Sequence, residues 1–435
     1  MTNTPQKKQQ KEHRTVVSID PFKPALGQKG IVNRWHPDIP ACATVAQGEI
    51  FKVECHEWTG GQIVNSDDAD DLVNIELSGC HNLSGPVGVE GAEPGDVLVV
   101  DILDVAPFPD MQWGYTGIFE KENGGLFANE FQSRAAKAIW DFEGVYATSR
   151  HIRGVRFAGI PHPGVIGTAP SQELLETWNA REAGLLAAHS DAVPQVAMLP
   201  EVRGAYVGQE MDQATRERVY AEGARTIPGR ENGGNVDIKN LSRGSTAYFP
   251  VWVKGGNLTL GDLHFSQGDG ELSFCGAVEM AGVVTLKCRV IKGGMEKIGL
   301  KQPIFMPSPV DPKYQDRLIF EGISVEVNGD GTQHYLDTTV AYKQAALNCM
   351  DYLTRLGYTR EQAYLLLSAA PIESHVGAVV VVPNSVVTME LPLGIFDRDI
   401  TPGDDGVEKR ELGQAAIRSD GATGLPHPEL APWRR

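Results

Sequence analysis

The chain has 435 residues, of which 41% are hydrophobic and 22% charged, and its 39 basic and 56 acidic side chains give a formal net charge of −17. This acidic balance argues against a nucleic-acid partner, because neutralising phosphates requires clustered Lys and Arg side chains. The longest apolar run, Val376 to Val382, is far shorter than the ~18 residues that a membrane span requires. The first residues lack the apolar segment of a signal peptide, so we expect a soluble cytoplasmic protein without a membrane partner.

The predicted elements begin after a polar segment. Residues 1–15 are rich in Lys and Gln, which predicts a disordered N-terminal tail. Short β-branched runs then recur between Gly, Pro and Asp residues, and such runs are typical of strands. The predicted strands are residues 50–55, 96–105, 247–253, 276–290, 302–307, 317–327 and 377–391.

Four stretches have helical periodicity instead. They are residues 171–189, 212–223, 338–356 and 359–368. Asp212 is a candidate N-cap of the second helix, and Thr359 with Gln362 has the spacing of a capping box at the start of the fourth.

The order of these elements is not a regular β-α-β alternation. We therefore expect an α+β fold that is rich in β-structure, with mixed or antiparallel sheets. One catalytic domain is predicted over residues 16–401, with two β-rich halves separated by a helical insertion at about 171–225. An irregular C-terminal tail is predicted over residues 402–435.

The absence of several common motifs argues against several functions. The chain lacks the G-x-x-x-x-G-K-[ST], H-E-x-x-H and G-x-S-x-G patterns, which argues against a phosphate-binding loop, a zincin helix and a hydrolase elbow. Its six cysteines are scattered without a C-x-x-C pair, as is typical of reduced thiols in a cytosolic enzyme.

Residues 258–280 carry the strongest functional pattern. Two runs of alternating character flank Gln267 and Gly268, which predicts a β-hairpin that turns there and places His264 opposite Glu271. Because side chains alternate along a strand, one face of this hairpin is polar and the other is apolar. The polar face carries Asp262, His264, Glu271, Ser273, Cys275 and Glu279. The apolar face carries Leu263, Phe265, Leu272, Phe274 and Val278.

An imidazole with several carboxylates is a ligand set that Zn²⁺ accepts. We therefore predict Asp262 and His264 as metal ligands, with Asp237 or Glu271 as the third. Asp237 follows two turn glycines, and an Asx-type turn cap is the alternative reading of this residue.

Four other polar residues are candidates for the same site. His81 precedes a Gly-Pro turn, and His162 lies between two prolines, although a single His in such a place is more often structural. His162, Asn235 and Gln267 are predicted to contact the substrate.

Several long motifs resemble the acetamidase/formamidase family. The run Gly233–Met280 contains Gly-Gly-Asn-Val-Asp-Ile-Lys-Asn-Leu-Ser-Arg-Gly and Gly-Asp-Leu-His-Phe-Ser-Gln-Gly-Asp-Gly-Glu. The runs Trp58-Thr59-Gly60-Gly61-Gln62-Ile63 and Gly91-Ala92-Glu93-Pro94-Gly95-Asp96 are similar to the formamidase branch, and the similarity covers about residues 16–401.

The resemblance implies hydrolysis of a short primary amide, formamide first, to a carboxylate and ammonia. It also implies a β-rich α+β fold, a homo-oligomer (dimer or trimer) and a divalent metal, zinc or calcium. Metal-bound water that titrates near pH ~7 would supply the nucleophile. We expect Glu271 or Glu279 to transfer the proton to the leaving amine and His81 to donate to the oxyanion.

Two alternatives are left open by the sequence. In the first, Cys275 attacks the amide and forms an acyl-enzyme. In the second, the protein is not an enzyme but binds amides or urea, and its metal is structural and closed by four or more protein ligands.

Overall fold

The computed structural model describes residues 13–190, 197–422 and 424–425 of the chain. Within these ranges strands predominate and form three sheets of mixed or antiparallel pairing, which confirms the predicted β-rich α+β class. No helix in this part of the chain is long and apolar enough to cross a membrane.

The strands are short and are numbered in chain order. They are β1 Arg14–Val17, β2 Ile31–Val32, β3 Ala43–Val45, β4 Ile50–Cys55, β5 Leu83–Val89, β6 Val97–Pro107, β7 Trp113–Ile118, β8 Ala136–Glu143, β9 Tyr146–Ser149, β10 Arg156–Ala158, β11 His162–Gly167, β12 Gly229–Arg230, β13 Gly233–Asn235, β14 Thr246–Pro250, β15 Leu258–Gln267, β16 Phe274–Met280, β17 Gly282–Ile291, β18 Ile304–Met306, β19 Arg317–Ile323, β20 Glu373–Val381, β21 Asn384–Pro392 and β22 Ala416–Ile417.

The helices are numbered in the same way. They are α1 Asp70–Val73, α2 Ala128–Phe131, α3 Gln172–Ala188, α4 Gln213–Glu222, α5 Gly294–Ile298, α6 Thr338–Leu356 and α7 Arg360–Ala369, with single 3₁₀ turns at Leu77–Gly79, Lys121–Asn123 and Leu393–Ile395.

The first sheet has the strand order β1-β4-β17-β6-β14-β18. Its neighbouring strands are antiparallel except β1 and β4, which run parallel. The predicted strand 276–290 proves to be two strands, β16 and β17, because the chain leaves one sheet and enters the other around Ala281.

The second sheet carries the candidate site and follows the path β10-β9-β8-β7-β16-β15-β11-β13-β12. Strand β15 also pairs with β5, and α7 and β4 contact it from other parts of the fold. All ten residues of β15 are therefore buried, polar side chains included. A charged group on this strand lies inside the protein, where ionisation is unfavourable unless a partner offsets it.

The third sheet has the order β19-β21-β20 and packs against α6. The predicted strand 377–391 is in fact part of a hairpin, because β20 and β21 are antiparallel neighbours joined by a turn at Val382 and Pro383.

The four predicted helices are confirmed as α3, α4, α6 and α7, within about two residues at each end. The side chains of Ser171 and Asp212 accept hydrogen bonds from the first turns of α3 and α4. Thr359 and Gln362 form the predicted capping box of α7. These caps are local contacts, and for this reason the sequence predicts them well.

Helices α3 and α4 lie within the predicted insertion at 171–225 and share a small apolar core with Trp35. Leu175, Trp178 and Val219 are the buried side chains that these helices contribute to it. The residues that follow α4 lead directly into the candidate active site, so the predicted insertion ends beside that site.

The two predicted tails lie partly outside the described residues. Strand β1 begins at Arg14, within the segment predicted as the N-terminal tail, and pairs with β4. The described residues after 401 are largely irregular, although β22 pairs with β8.

Candidate active site

Strands β15 and β16 are antiparallel neighbours, as predicted, but their register differs from the prediction. His264 lies opposite Glu279, and Leu263 lies opposite Met280. The predicted pairing of His264 with Glu271 is wrong, because the chain does not turn at Gln267 and Gly268. Residues 268–273 form a longer loop between the strands.

Backbone hydrogen bonds to a distant segment hold the loop 268–273 in this longer path. The backbone N–H of Gly268 donates to the carbonyl of Ser368 (2.7 Å), and that of Asp269 donates to the carbonyl of Ile372 (3.0 Å). Gly270 (φ 97°) and Glu271 (φ 45°) then adopt left-handed backbone conformations, which are uncommon for a residue other than Gly. The carboxylate of Glu271 therefore reaches the site from the loop and not from a strand.

The structure brings the predicted metal ligands together. One ligand atom from each of Asp237, Asp262 and His264 lies within 4.8 Å of the other two, and the same holds for the group of His264, Glu271 and Glu279. Nε2 of His264 lies 3.3 Å from Oδ1 of Asp262 and 3.1 Å from Oε2 of Glu279. His264 is thus the centre of the cluster.

His162 and Gln267 lie behind His264. Nδ1 of His264 lies 3.0 Å from Oε1 of Gln267 and 3.2 Å from Nε2 of His162. The amide of Gln267 is oriented because its Nε2 donates to the carbonyl of Asp237 (2.7 Å). His162 is held by the carbonyl of Ile160 (2.7 Å from Nδ1).

These contacts decide how His264 is oriented. Burial and the charge of His264 lower the pKa of His162 to about 3, so His162 is neutral. Oε1 of Gln267 is an acceptor, because the Nε2 of the same amide donates to Asp237. Nδ1 of His264 therefore carries the proton of its contact with Gln267, and Nε2 is directed towards the carboxylates. Neither His162 nor Gln267 lines the cavity, which favours a positioning role over the predicted substrate contact.

His81 reaches the cluster from the segment before β5. Its Nε2 lies 3.7 Å from Oδ2 of Asp262, and Thr226 lies 3.1 Å from its Nδ1. The backbone N–H of His81 also donates to the hydroxyl of Thr226 (2.7 Å). Burial lowers the pKa of His81, which keeps this imidazole neutral and able to donate one hydrogen bond.

A cavity of about 20 Å³ opens at the cluster. This volume is sufficient for about one water-sized group, since a water needs roughly 10–15 Å³. The residues that line it are Trp58, His81, Ile227, Asn235, Asp237, Asp262, Glu271, Phe274 and Glu279. Asn235 is therefore at the site, as predicted, and its Nδ2 donates to the carbonyl of Ile227 (2.9 Å).

The site crowds acidic groups in a buried place. Burial and the charge of Asp262 raise the pKa of Asp237 to about 7, and burial raises the pKa of Glu279 to about 8 against the effect of His264. The pKa of Glu271 rises well above its ordinary value through burial and the nearby Asp237. Burial also opposes ionisation of Asp262, but His264 and His81 lower its pKa overall.

His264 responds in the opposite sense to its surroundings. Burial disfavours its cation, but the carboxylates of Glu279 and Asp262 raise the pKa of His264 well above its ordinary value. A compact positive charge at the cluster would therefore relieve the repulsion among the acids and replace the proton on this imidazole.

The donor set fits a divalent cation. Among the described residues, Nε2 of His264, Oε2 of Glu279 and Oδ1 of Asp237 are buried and have no hydrogen-bond partner of good geometry. Buried polar atoms of this kind require an explanation, and a metal ion bound at the cluster would provide one. An imidazole with carboxylates suits Zn²⁺ better than Ca²⁺, which prefers oxygen ligands alone.

Cys275 lies outside this cavity. It is fully buried in an apolar cluster that includes Leu72 and Ile139. Burial and the charge of Glu279 raise the pKa of the Cys275 thiol well above its ordinary value. A thiol that does not ionise is a poor nucleophile, so this arrangement does not favour the acyl-enzyme alternative.

Three residues that line the cavity were not predicted as site residues. Trp58 belongs to a motif that carried the family resemblance, and its ring packs against His81 (centroids 5.4 Å apart). Phe274 is assigned by strand alternation to the apolar face of the hairpin, but its left-handed backbone (φ 75°) interrupts that alternation. Ile227 is an ordinary apolar residue after α4, and no sequence pattern marks it.

A buried imidazole–carboxylate cluster beside a small cavity is an arrangement suited to a hydrolytic enzyme with a small substrate. The model of the Acetamidase/Formamidase family matches residues 18–398, and the chain belongs to this family of amidohydrolases.

Relatives agree with this assignment. The chain is 54% identical over 394 residues to a formamidase from Methylophilus methylotrophus, which covers 90% of this chain and 96% of the relative. It is 53% identical over 349 residues to an acetamidase from Mycolicibacterium smegmatis, covering 78% of this chain and 86% of the relative. A solved structure titled gamma lactamase from Delftia acidovorans superposes with a TM-score of 0.90 at 51% identity, covering 93% of this chain and 100% of the other.

Proposed function

We propose that this protein is a formamidase that hydrolyses formamide, and other short amides more weakly, to the carboxylate and ammonia. The observation that carries the proposal is the cluster of Asp237, Asp262 and His264 beside Glu279, at a cavity with room for about one water-sized group. The name of the Methylophilus relative, formamidase, supports formamide as the substrate.

Asp237, Asp262 and His264 would hold a divalent metal ion, for which zinc is our proposal. When bound, the ion supplies positive charge that polarises the amide carbonyl and makes water more acidic. The remaining steps belong to the protein. With the ion bound, its charge would lower the pKa of Glu279 from about 8, so that this carboxylate can take a proton from the attacking water and pass it to the leaving nitrogen.

Other residues of the cavity bind and orient the amide. Oδ1 of Asn235 has no hydrogen-bond partner among the described residues, and it can accept an N–H of the substrate. Neutral His81 donates to the oxygen that becomes negative in the transition state. Glu271 is the alternative proton carrier, since its pKa is also raised.

The size of the cavity supports formamide over larger amides. The names of the Mycolicibacterium and Delftia relatives refer to an amide with a methyl group and to a cyclic amide. A volume of about 20 Å³ leaves little room for either without movement of the walls. Each additional methylene in a closed pocket changes specificity by ~1–3 kcal/mol.

We also propose that the protein is a cytoplasmic homo-oligomer, a dimer or a trimer. The unpaired thiols of the six cysteines support a reducing compartment. Strand β20 lies at the edge of its sheet and exposes valines, with Val376, Val379 and Val380 exposed to 58%, 46% and 75%. An apolar edge strand is a site for pairing with another copy. Sedimentation of Val380→Lys should give a smaller mass than the original protein.

The experiment that tests the function measures ammonia release and metal content on one purified sample. Formamide, acetamide, propionamide and a γ-lactam are compared before and after dialysis against a strong chelator. We expect formamide to have the highest kcat/KM, a loss of activity after dialysis, and recovery on addition of Zn²⁺. Full activity in a sample without metal would contradict the metal assignment, and no ammonia from any amide would contradict the function.

A further inference from the structure

A second and much larger pocket lies directly outside the site. Its volume is about 530 Å³, compared with about 20 Å³ for the inner cavity. Two side chains, Ile227 and Phe274, line both spaces. These two residues therefore form the partition between the outer pocket and the catalytic cluster.

The backbone of Phe274 is unusual. Its φ of 75° is left-handed, a genuine outlier for a bulky residue and a conformation that tends to occur at functional sites. The same loop gives Glu271 its φ of 45°, and the N–H of Phe274 donates to the carbonyl of Glu271 (3.1 Å). One turn thus sends the carboxylate of Glu271 into the cavity and the ring of Phe274 to its opening.

The backbone is held by hydrogen bonds on both sides of the partition. The carbonyl of Ile227 accepts a hydrogen bond from Asn235, which fixes this side of the opening. The backbone of Phe274 donates to Glu271 and pairs with Ile118 of β7, while its ring is only partly buried and packs against Phe119, with the centroids 5.8 Å apart. This ring is the larger of the two side chains, and it can turn about its side-chain bonds without breaking a backbone hydrogen bond, so its movement widens the opening most.

From this geometry we propose that Phe274, against Ile227, is the gate that limits the size of the acyl group admitted to the catalytic cluster. The inner cavity is too small for an amide while the Phe274 ring keeps its present position. The displacement that this ring must make grows with each carbon added to the acyl group. Substrates first bind in the outer pocket, and short amides enter the inner cavity with the smallest displacement of the Phe274 ring. This inference rests on the proposed amidase function and adds to it the residue that sets chain-length specificity.

Phe274→Ala tests the proposal in the full-length protein, with kcat/KM measured for formamide, acetamide, propionamide and butyramide. We expect the ratio of kcat/KM for propionamide to that for formamide to rise at least ~10-fold, the effect of about one methylene in a closed pocket. Ile227→Ala should raise the same ratio from the opposite side of the opening. Phe305→Ala is the matched control, because Phe305 is also partly buried but lies on β18 and lines neither space.

The outcomes separate the gate from the function itself. If the original protein releases ammonia from formamide and the ratio stays within twofold in both variants, the gate is refuted and the amidase function stands. If the original protein hydrolyses no amide, the proposed function is refuted, and the gate, which rests on that function, is refuted with it. If Phe274→Ala does not fold, Ile227→Ala and the milder Phe274→Leu decide the question, and an unchanged ratio in both refutes the gate.

Discussion

Nε2 of His264 lies 3.1 Å from Oε2 of Glu279, on two residues that face each other across strands β15 and β16. Both side chains are buried, and neither of these two atoms has a hydrogen-bond partner of good geometry within the described ranges. This buried pair, beside Asp262, carries charge in a place where water cannot stabilise it. The first prediction follows from it directly.

Glu279→Gln should lower kcat for formamide by at least ~100-fold, because a positioned proton carrier contributes about that much and the amide cannot take up the proton. The change in shape is minimal, so the unfolding temperature should stay close to the original. Glu321→Gln, on the exposed part of β19, is the control and should leave kcat unchanged. A Glu279→Gln variant with full kcat would assign the proton transfer elsewhere, with Glu271 as the next residue to test.

The metal-free protein should become less stable as the pH rises from about 5 to about 8. In this window the folded state retains protons on Asp237, whose pKa is about 7, and on Glu279, whose pKa is about 8. The unfolded chain has already lost them near pH ~4, so the folded state binds more protons and its stability falls with pH. Each unit of raised pKa corresponds to roughly 1.4 kcal/mol.

Urea unfolding at pH 5, 6, 7 and 8 in the presence of a chelator measures this dependence. Asp237→Asn should make it less steep, since one of the titrating groups is removed. Added Zn²⁺ should raise the stability most at the higher pH, because its ligands must lose protons to bind it. A metal-free protein whose stability increases steadily with pH across this window would contradict the burial of these acids.

Gln267→Ala should weaken metal binding about 10–100-fold, the usual effect of removing a residue that orients a ligating His. The amide holds Nδ1 of His264 at 3.0 Å and the carbonyl of Asp237 at 2.7 Å, so it positions two of the proposed ligands. Competition with a metal indicator gives the dissociation constant. Gln302→Ala, on an exposed segment, provides a comparison that should show no change. Unaltered affinity in Gln267→Ala would remove the positioning role.

Cys275→Ala should retain kcat/KM for formamide within about threefold, because the thiol is outside the cavity and its pKa is raised. The loss of a small buried group should lower the free energy of unfolding by about 1 kcal/mol. Iodoacetamide should not inactivate the original protein. Abolished activity in a folded Cys275→Ala variant would revive the acyl-enzyme alternative.

The helices and their ends were largely predictable. Ser171, Asp212 and Thr359 start their helices through hydrogen bonds to residues three positions away. A helix cap that acts over so short a distance can be recognised from the local sequence. The strands 276–290 and 377–391 were predicted as single elements because a chain reversal between two β-rich runs leaves the local composition almost unchanged.

The site residues were predicted in kind but not in arrangement. Asp237, Asp262 and His264 come together as expected. The partner of His264 across the strands was wrong, because the carbonyls of Ser368 and Ile372 hold the loop 268–273 in a longer path. These acceptors are about a hundred residues away along the chain, so no pattern near the loop announces them.

By itself, the amino-acid order determined an acidic, β-rich chain, its helix starts, and the polar and apolar alternation that marks residues 258–280 as chemically special. Tertiary structure alone decided that Glu279 faces His264, that Cys275 is sealed in an apolar cluster, and that Phe274 stands at the opening of the cavity. The reason is physical: alternation along a strand depends on the nearest neighbours in the chain. Register and burial depend on which distant segments pack against it.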